Sequence, residues 1–450
     1  MIQLHQSFVS WLNQPYLDLS NINKAALHVY GIEISYRNLV SNKPINEEPA
    51  RHNIQVILPP SFRESLIKET GLSNYGIQNP LELANELRTE RWNVLCDYLI
   101  NYQELQPFVR LRVISLLKNL CFHRAVLEYV PKLPDSEIAS DSISATIAFS
   151  RIISTLILQI ESGTLQNLNE LENFAHQTQL VSQVKLNAAL QLTVQYAKTF
   201  RNLAAAEFWR TVATKELENI KSSVDDFTYN HLLSIYYRAV VFVPLLKKDR
   251  QKVIEEMECC EFYGETITPK DEIEQIVADE NRNIILESRT KEALWLGDID
   301  LAEKRARQLT QNDPLDPRYR LELGEILLKQ NKIEEAAKVY GSAIHLGPPN
   351  TTIAWYMTGQ CYEKLGELYL ACDCYLACLQ IDELAISALE RLHNLALRLE
   401  SLALANWSEI RLLELQELQK SMTNQPSISF IPEASSSLKV AGEKALSQLS

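Results

Sequence analysis

From Asn79 to about Gln419 the apolar residues recur every three or four positions, the spacing that lines one face of an α-helix. Leu87, Leu95 and Leu99, with Trp92 and Cys96, make the first such face. The pattern continues through Pro107 to Leu120, Cys121 to Val130, Leu165 to His176, Leu180 to Thr199, Asn202 to Lys221, Phe227 to Leu246 and Arg250 to Phe262. Ser142 to Ile160 is apolar on nearly every side, which predicts a helix packed internally against both neighbours. Helix starts are marked by Asn79 followed by Pro80, and by Thr268 followed by Pro269: a side-chain cap, then a residue whose missing N–H is not needed. No strand signal interrupts this range. Helices of this length with short polar links predict an all-α chain of helical hairpins, an α-solenoid.

Both ends depart from the pattern. Residues 1–77 hold two short runs rich in Val, Ile and Tyr, Ala26 to Ser35 and Asn53 to Leu58, which are expected to pair as a small hairpin. Ser61 to Glu64 then has the form of a capping box and opens a short helix. After about Met422 the chain is Ser-rich and poor in residues to bury, so a flexible tail is expected over 421–450. The expected order is an N-terminal extension (1–77), an irregular helical region (78–266), a regular one (267–420) and the tail. The link from Gly264 to Thr268 divides the two helical regions.

Regularity in the third region is a true repeat. Ala302, Ala336 and Ala371 are 34 and 35 residues apart, and Pro314 and Pro348 are again 34 apart. The middle copy reads Leu323, Gly324, Leu327, Ala336, Tyr340, Ala343, Pro348; the third repeats it with Trp355, Gly359, Tyr362, Ala371, Tyr375 and Cys378. Gly324 and Ala336 let two helices approach, Tyr340 and Leu327 fill between them, and Pro348 stops the second helix. A first copy keeps Trp295, Gly297, Ala302 and Pro314, and a fourth, Ile386 to Glu417, keeps only Ala405 in phase, as a terminal pair would. In period and residue pattern these copies resemble the tetratricopeptide repeat family.

That resemblance implies an architecture and a use. In such folds the first helix of each hairpin lines a concave surface that holds a protein or peptide ligand. The family's ligand-facing positions correspond here to Lys291, Leu294 and Trp295, to Arg318, Leu321, Glu325, Leu328 and Lys329, and to Ile353, Tyr356, Gln360 and Lys364. Trp295 and Tyr356 are the expected apolar anchors, although Trp295 also suits packing against a neighbouring helix. The family's clamp for a chain-terminal carboxylate is not expected: Glu287 and Lys291 stand where its first Lys and Asn would be, and Glu322 replaces its second Asn.

Composition narrows the function further. The net charge is −13, from 44 basic and 57 acidic residues, without a long block of Lys or Arg. Binding phosphate backbones needs a dense basic face, so nucleic acid is not an expected partner. The N-terminus lacks a basic then apolar leader and no run reaches about 18 apolar residues, so membrane insertion is not expected and a soluble, cytoplasmic protein is. The eight cysteines read as reduced thiols. Cys361, Cys372, Cys374 and Cys378 fall in one predicted hairpin, but their spacing suits core packing better than zinc. No nucleophile elbow, phosphate loop or paired-His motif appears, so neither metal, cofactor nor catalysis is expected. The sequence therefore describes a non-enzymatic scaffold or adaptor. Its alternatives are a peptide-responsive regulator, or an accessory module that orients a substrate for a tailoring enzyme.

Overall fold

The computed structural model describes Leu39 and residues 78–88, 90–132, 141–346 and 350–423. The expected N-terminal hairpin and helix, the turn at Pro348 and the chain after Thr423 lie outside the described residues. Among the described residues the fold is all-α, without strands, and consecutive helices pack as hairpins. The described chain forms two compact units, one of residues 78–298 with Leu39, the other of residues 299–423.

The first unit contains α1 (Glu90–Ile100), α2 (Pro107–Asn119), α3 (His123–Tyr129), α4 (Ser142–Glu161), α5 (Asn169–Ala175), α6 (Ser182–Lys198), α7 (Leu203–Ile220), α8 (Asp226–Val240), α9 (Phe242–Lys247), α10 (Arg250–Glu265) and α11 (Glu272–Leu296). Asn79 caps as expected, its side chain accepting from the Leu81 N–H, but only two short 3₁₀ turns follow. Trp92 Nε1 donates to the Pro80 carbonyl at 2.9 Å and Arg88 to those of Leu81 and Leu83, so the segment folds back over α1 instead of extending it. The predicted helix from Phe227 to Leu246 is two helices. Pro244 lacks the N–H that would bond the Val240 carbonyl and its ring clashes there, and α8 ends at Val240. Thr268 does not cap α11. Asp271 accepts from Glu274 N at 2.8 Å and is the N-cap, while Glu274 Oε2 accepts from Lys270 N, one residue before the cap, at 2.7 Å.

Helix α4 corrects one expectation. By length and composition it is apolar enough to cross a membrane, because its scattered Ser and Thr and its one Arg break the apolar run without lowering the average much. It lies against α2 and α3 with Ala145, Ile152, Ile153 and Leu156 buried. Polar pairs fix it there: Lys118 Nζ donates to Ser150 Oγ at 3.2 Å, His123 Nδ1 meets Ser154 Oγ at 3.1 Å, and Arg151 Nε donates to the Val130 carbonyl at 3.0 Å.

The second unit contains α12 (Ile299–Asn312), α13 (Pro317–Lys329), α14 (Ile333–Ile344), α15 (Thr351–Leu365), α16 (Leu368–Ile381), α17 (Ile386–Arg398) and α18 (Leu402–Thr423). Its seams are those expected from the repeat. A Cβ on Gly324 would stand 2.5 Å from ring carbons of the buried Tyr340, and one on Gly359 would stand 2.8 Å from Tyr375 Cε1. The absent side chain is what lets each tyrosine ring lie on the facing helix. At the corresponding place in the fourth pair stands His393, whose Nδ1 meets Ser408 Oγ at 3.0 Å. That seam is polar.

Candidate partner-binding surface

In the second unit the first helices of the hairpins, α13, α15 and α17, carry most of the positions expected to meet a ligand. The structure divides them. Arg318 turns back on the start of its own helix, where the buried Asp316 accepts from its backbone N–H at 2.9 Å and from its guanidinium at 2.6–3.1 Å. Lys329 pairs with Glu325 at 2.9 Å, one turn away, and Leu328 is buried beside them. Leu321 and Ile353 are partly exposed. Tyr356 is only 6% exposed, so it serves the packing of α15 and α17 more than an open surface. Gln360 is 2% exposed, and its Nε2 has no hydrogen-bond partner among the described residues. Lys364 alone of the set is both exposed and, among the described residues, without an ion pair.

Around Lys364 the structure assembles residues that the expected positions omit. Arg391, on α17, donates from Nε to the Tyr356 hydroxyl at 3.1 Å and from an Nη to Glu363 at 3.0 Å. Tyr375 donates to the same Glu363 oxygen at 3.0 Å, and Arg398 reaches the other at 3.5 Å. One carboxylate therefore holds two guanidiniums, with the Lys364 ammonium nearby. Burial opposes the charge on Arg391, but Tyr356, Tyr375 and Glu363 outweigh it and raise its pKa, so it stays cationic. Burial and the charge of Arg391, against Cys361, lower the pKa of Lys364. The face of α15 and α17 thus carries a net positive charge in an acidic protein.

Arg391 and Arg398 escaped the sequence reading because the fourth pair matches the repeat only at Ala405. Their signal was geometric: one repeat on from α15, a cation faces Tyr356 and Glu363. Lys291 and Trp295 lie on α11, in the first unit. There Lys291 pairs with Glu287 one turn earlier, and Trp295 is 39% exposed with the Arg250 guanidinium 5.9 Å from its ring centre. The four clustered cysteines are buried, and desolvation pushes the thiols of Cys361 and Cys374 up to about 12, as for packing residues. Among the described residues no three His, Cys, Asp or Glu side chains stand together to hold a metal.

A tetratricopeptide-repeat family model matches residues 291–351 and again 327–382. Residues 291–382 of this chain are tetratricopeptide repeats. Solved structures that resemble it include MamA from Desulfovibrio magneticus RS-1, 15% identical over 42% of this chain and 96% of that one, with a TM-score of 0.32. YrrB, described as a TPR protein with an unusual peptide-binding site, is 15% identical over 48% of this chain and 100% of its own, with a TM-score of 0.27. A human IFIT1 dimer with PPP-AAAA is 13% identical over 94% and 96%, with a TM-score of 0.41. No curated protein matches the sequence. The matched residues include α13 and α15, which carry positions expected to face a ligand; α17 follows them in the chain.

Proposed function

We propose that this protein is a non-enzymatic scaffold whose repeat unit holds a segment of a partner protein along α13, α15 and α17, with acidic side chains of that segment against Lys364, Arg391 and Arg398. The observation that carries the reading is the charge imbalance on this face: Arg391 and Arg398 share the one carboxylate of Glu363, and the Lys364 ammonium, without an ion pair among the described residues, stands close enough to Arg391 to feel its charge. A buried, unpaired Gln360 amide on the same helix adds a donor. The closed pairs Arg318 with Asp316 and Lys329 with Glu325 leave this cluster as the place where a carboxylate gains most.

Affinity capture of partners with the full chain tests it. Lys364→Glu together with Arg398→Glu is expected to lose the partners recovered by the parent protein, with an unchanged melting profile because both side chains are exposed. Recovery of the same partners at the same yield places the binding surface elsewhere.

A further inference from the structure

The first unit has a concavity of about 730 Å³ that the repeat pattern does not predict, formed by α7, α8 and α10. Four tyrosines line it, Tyr229, Tyr236, Tyr237 and Tyr263. The rings of Tyr237 and Tyr263 are stacked, 5.7 Å between centres and 5° between planes, and Phe262 meets Tyr263 edge-on while remaining 59% exposed. Tyr229 lies close enough to Tyr263 and Glu218 for both to raise its pKa, after burial. Among the described residues the hydroxyls of Tyr229, Tyr237 and Tyr263 make no hydrogen bond. Such ring faces attract cations, and this one already does so at its edge, where Lys221 Nζ stands 5.9 Å from the Tyr229 ring centre.

Charge in the cavity points the same way. Glu218, Glu255, Glu256 and Glu258 line it together with two cations, Arg210 and Lys252. Both cations are already engaged, Arg210 with one oxygen of Glu256 and Lys252 with Glu255 at 3.0 Å. Glu218 and Glu258 have no ion pair among the described residues. Glu256 is the decisive group: it is 2% exposed, and its second oxygen has no hydrogen-bond partner among the described residues. A buried carboxylate oxygen left without a donor is costly, and a ligand that supplies an N–H there gains what the protein lacks.

We infer that this cavity is a second binding site, for an arginine side chain of a partner protein. The guanidinium is planar and weakly hydrated, so it lies on a tyrosine face with less desolvation cost than an ammonium, and its donors supply the N–H that Glu256 Oε2 lacks, while Glu258 adds negative charge at the exposed rim. The site is separate from the α15 and α17 face: one takes carboxylates, the other a cation, and neither requires the other.

Saturation-transfer NMR on the full chain, with a blocked leucine–arginine–leucine peptide as probe, tests the assignment. Transfer to the arginine side chain is expected, and replacing arginine by its neutral isostere citrulline should weaken binding about tenfold or more, as loss of charge over aromatic rings and beside carboxylates implies. Glu256→Gln should do the same. Because Glu256 also neutralises Arg210, Glu258→Gln and Phe262→Ser at the exposed rim supply variants that retain the fold, each expected to weaken the peptide several-fold with unchanged circular dichroism. Equal binding of the citrulline peptide, a lysine peptide that binds as well as the arginine one, or full affinity in both rim variants overturns it.

Discussion

The two units are built with the same turn and differ in how often it recurs. In the repeat region the first helix of each hairpin ends in a residue of left-handed conformation: Gly297 (φ 85°), Asn331 (59°), Gly366 (82°) and Glu400 (54°), which are 34, 35 and 34 residues apart. After each, the next N–H bonds back five residues: Asp298 to Ala293, Lys332 to Leu327, Glu367 to Tyr362 and Ser401 to Ala396. The N-terminal unit uses the same closure at Cys121, Gly163, Arg201 and Lys248, with Phe122, Thr164 and Asp249 bonded back five residues to Leu117, Gln159 and Pro244, and Asn202 six back to Tyr196. There the steps are 42, 38 and 47 residues. The comparison teaches that the hairpin, not the period, is what both regions share. A fixed period lets one seam be reused with one set of residues; a drifting one requires each seam to be packed differently. Buried Lys118, His123, Ser150 and Thr193 show how unlike the N-terminal seams are.

The largest test of the contrast strikes the reused seam. Tyr340→Ala empties the space that Gly324 opens and should lower stability by about 3–5 kcal/mol in denaturant titrations. If the loss is below about 1 kcal/mol, the glycine–tyrosine seam is not what holds these hairpins.

Acid should separate the two units. His231, in α8, is buried, and burial, with the nearby Arg238, depresses its pKa from 6.5 to about 4. A depressed base binds its proton in the unfolded chain before the folded one, so stability is present above pH 6.5 and is lost as pH falls towards 4, by at most about 3 kcal/mol. In the repeat unit Glu303 loses stability in the same direction but in a lower window: a hydrogen bond from Lys332, against some burial, and another from Arg307 hold it at about 2, so its contribution is intact above about pH 4.5 and is lost as pH falls from there towards 2. Equilibration between pH 6.5 and 4, followed by an amide-exchange pulse at one common pH, should show α8 losing protection before α13 to α16. His231→Gln should remove the difference; if it persists, another group is responsible.

A glycine series sharpens the comparison at smaller scale. Gly324→Ala forces a methyl against the Tyr340 ring and should cost about 1–3 kcal/mol. In the first unit, the Cβ of a Gly264→Ala variant meets the tip of Ile285 at 2.2 Å, which can rotate away. Helix propensity then returns up to about 1 kcal/mol, leaving a net effect near zero in thermal melts. Equal losses at the two sites would mean that both seams are equally rigid.

The smallest effect concerns the shared turn. Glu400 holds φ at 54° where its three counterparts in the repeats are Gly297, Asn331 and Gly366, the residue types that tolerate this conformation. Glu400→Gly relieves that strain and should stabilise by about 1 kcal/mol. A destabilised variant would show that the Glu400 side chain contributes more than its backbone costs.

Sequence alone determined the helical hairpins and the 34-residue period, because both rest on local chemistry: apolar spacing along a helix, and small residues opposite large ones. Gly324 with Tyr340 and Gly359 with Tyr375 could be paired by counting. It also marked Asn79 as punctuation, although there the long-range bond from Trp92 to Pro80 limited the helix it opens. What only the tertiary structure decided is which polar groups are already satisfied. Arg318 and Lys329 stand at ligand-facing positions, yet Asp316 and Glu325 occupy them; Tyr356 shares its position type with open anchors, yet α17 covers it. The unpaired oxygen of Glu256 depends on which side chains from α7 and α8 arrive beside it, and Arg391 on a helix that begins some 30 residues after Tyr356. Burial and pairing are sums over neighbours distant in the chain, and no local pattern contains them.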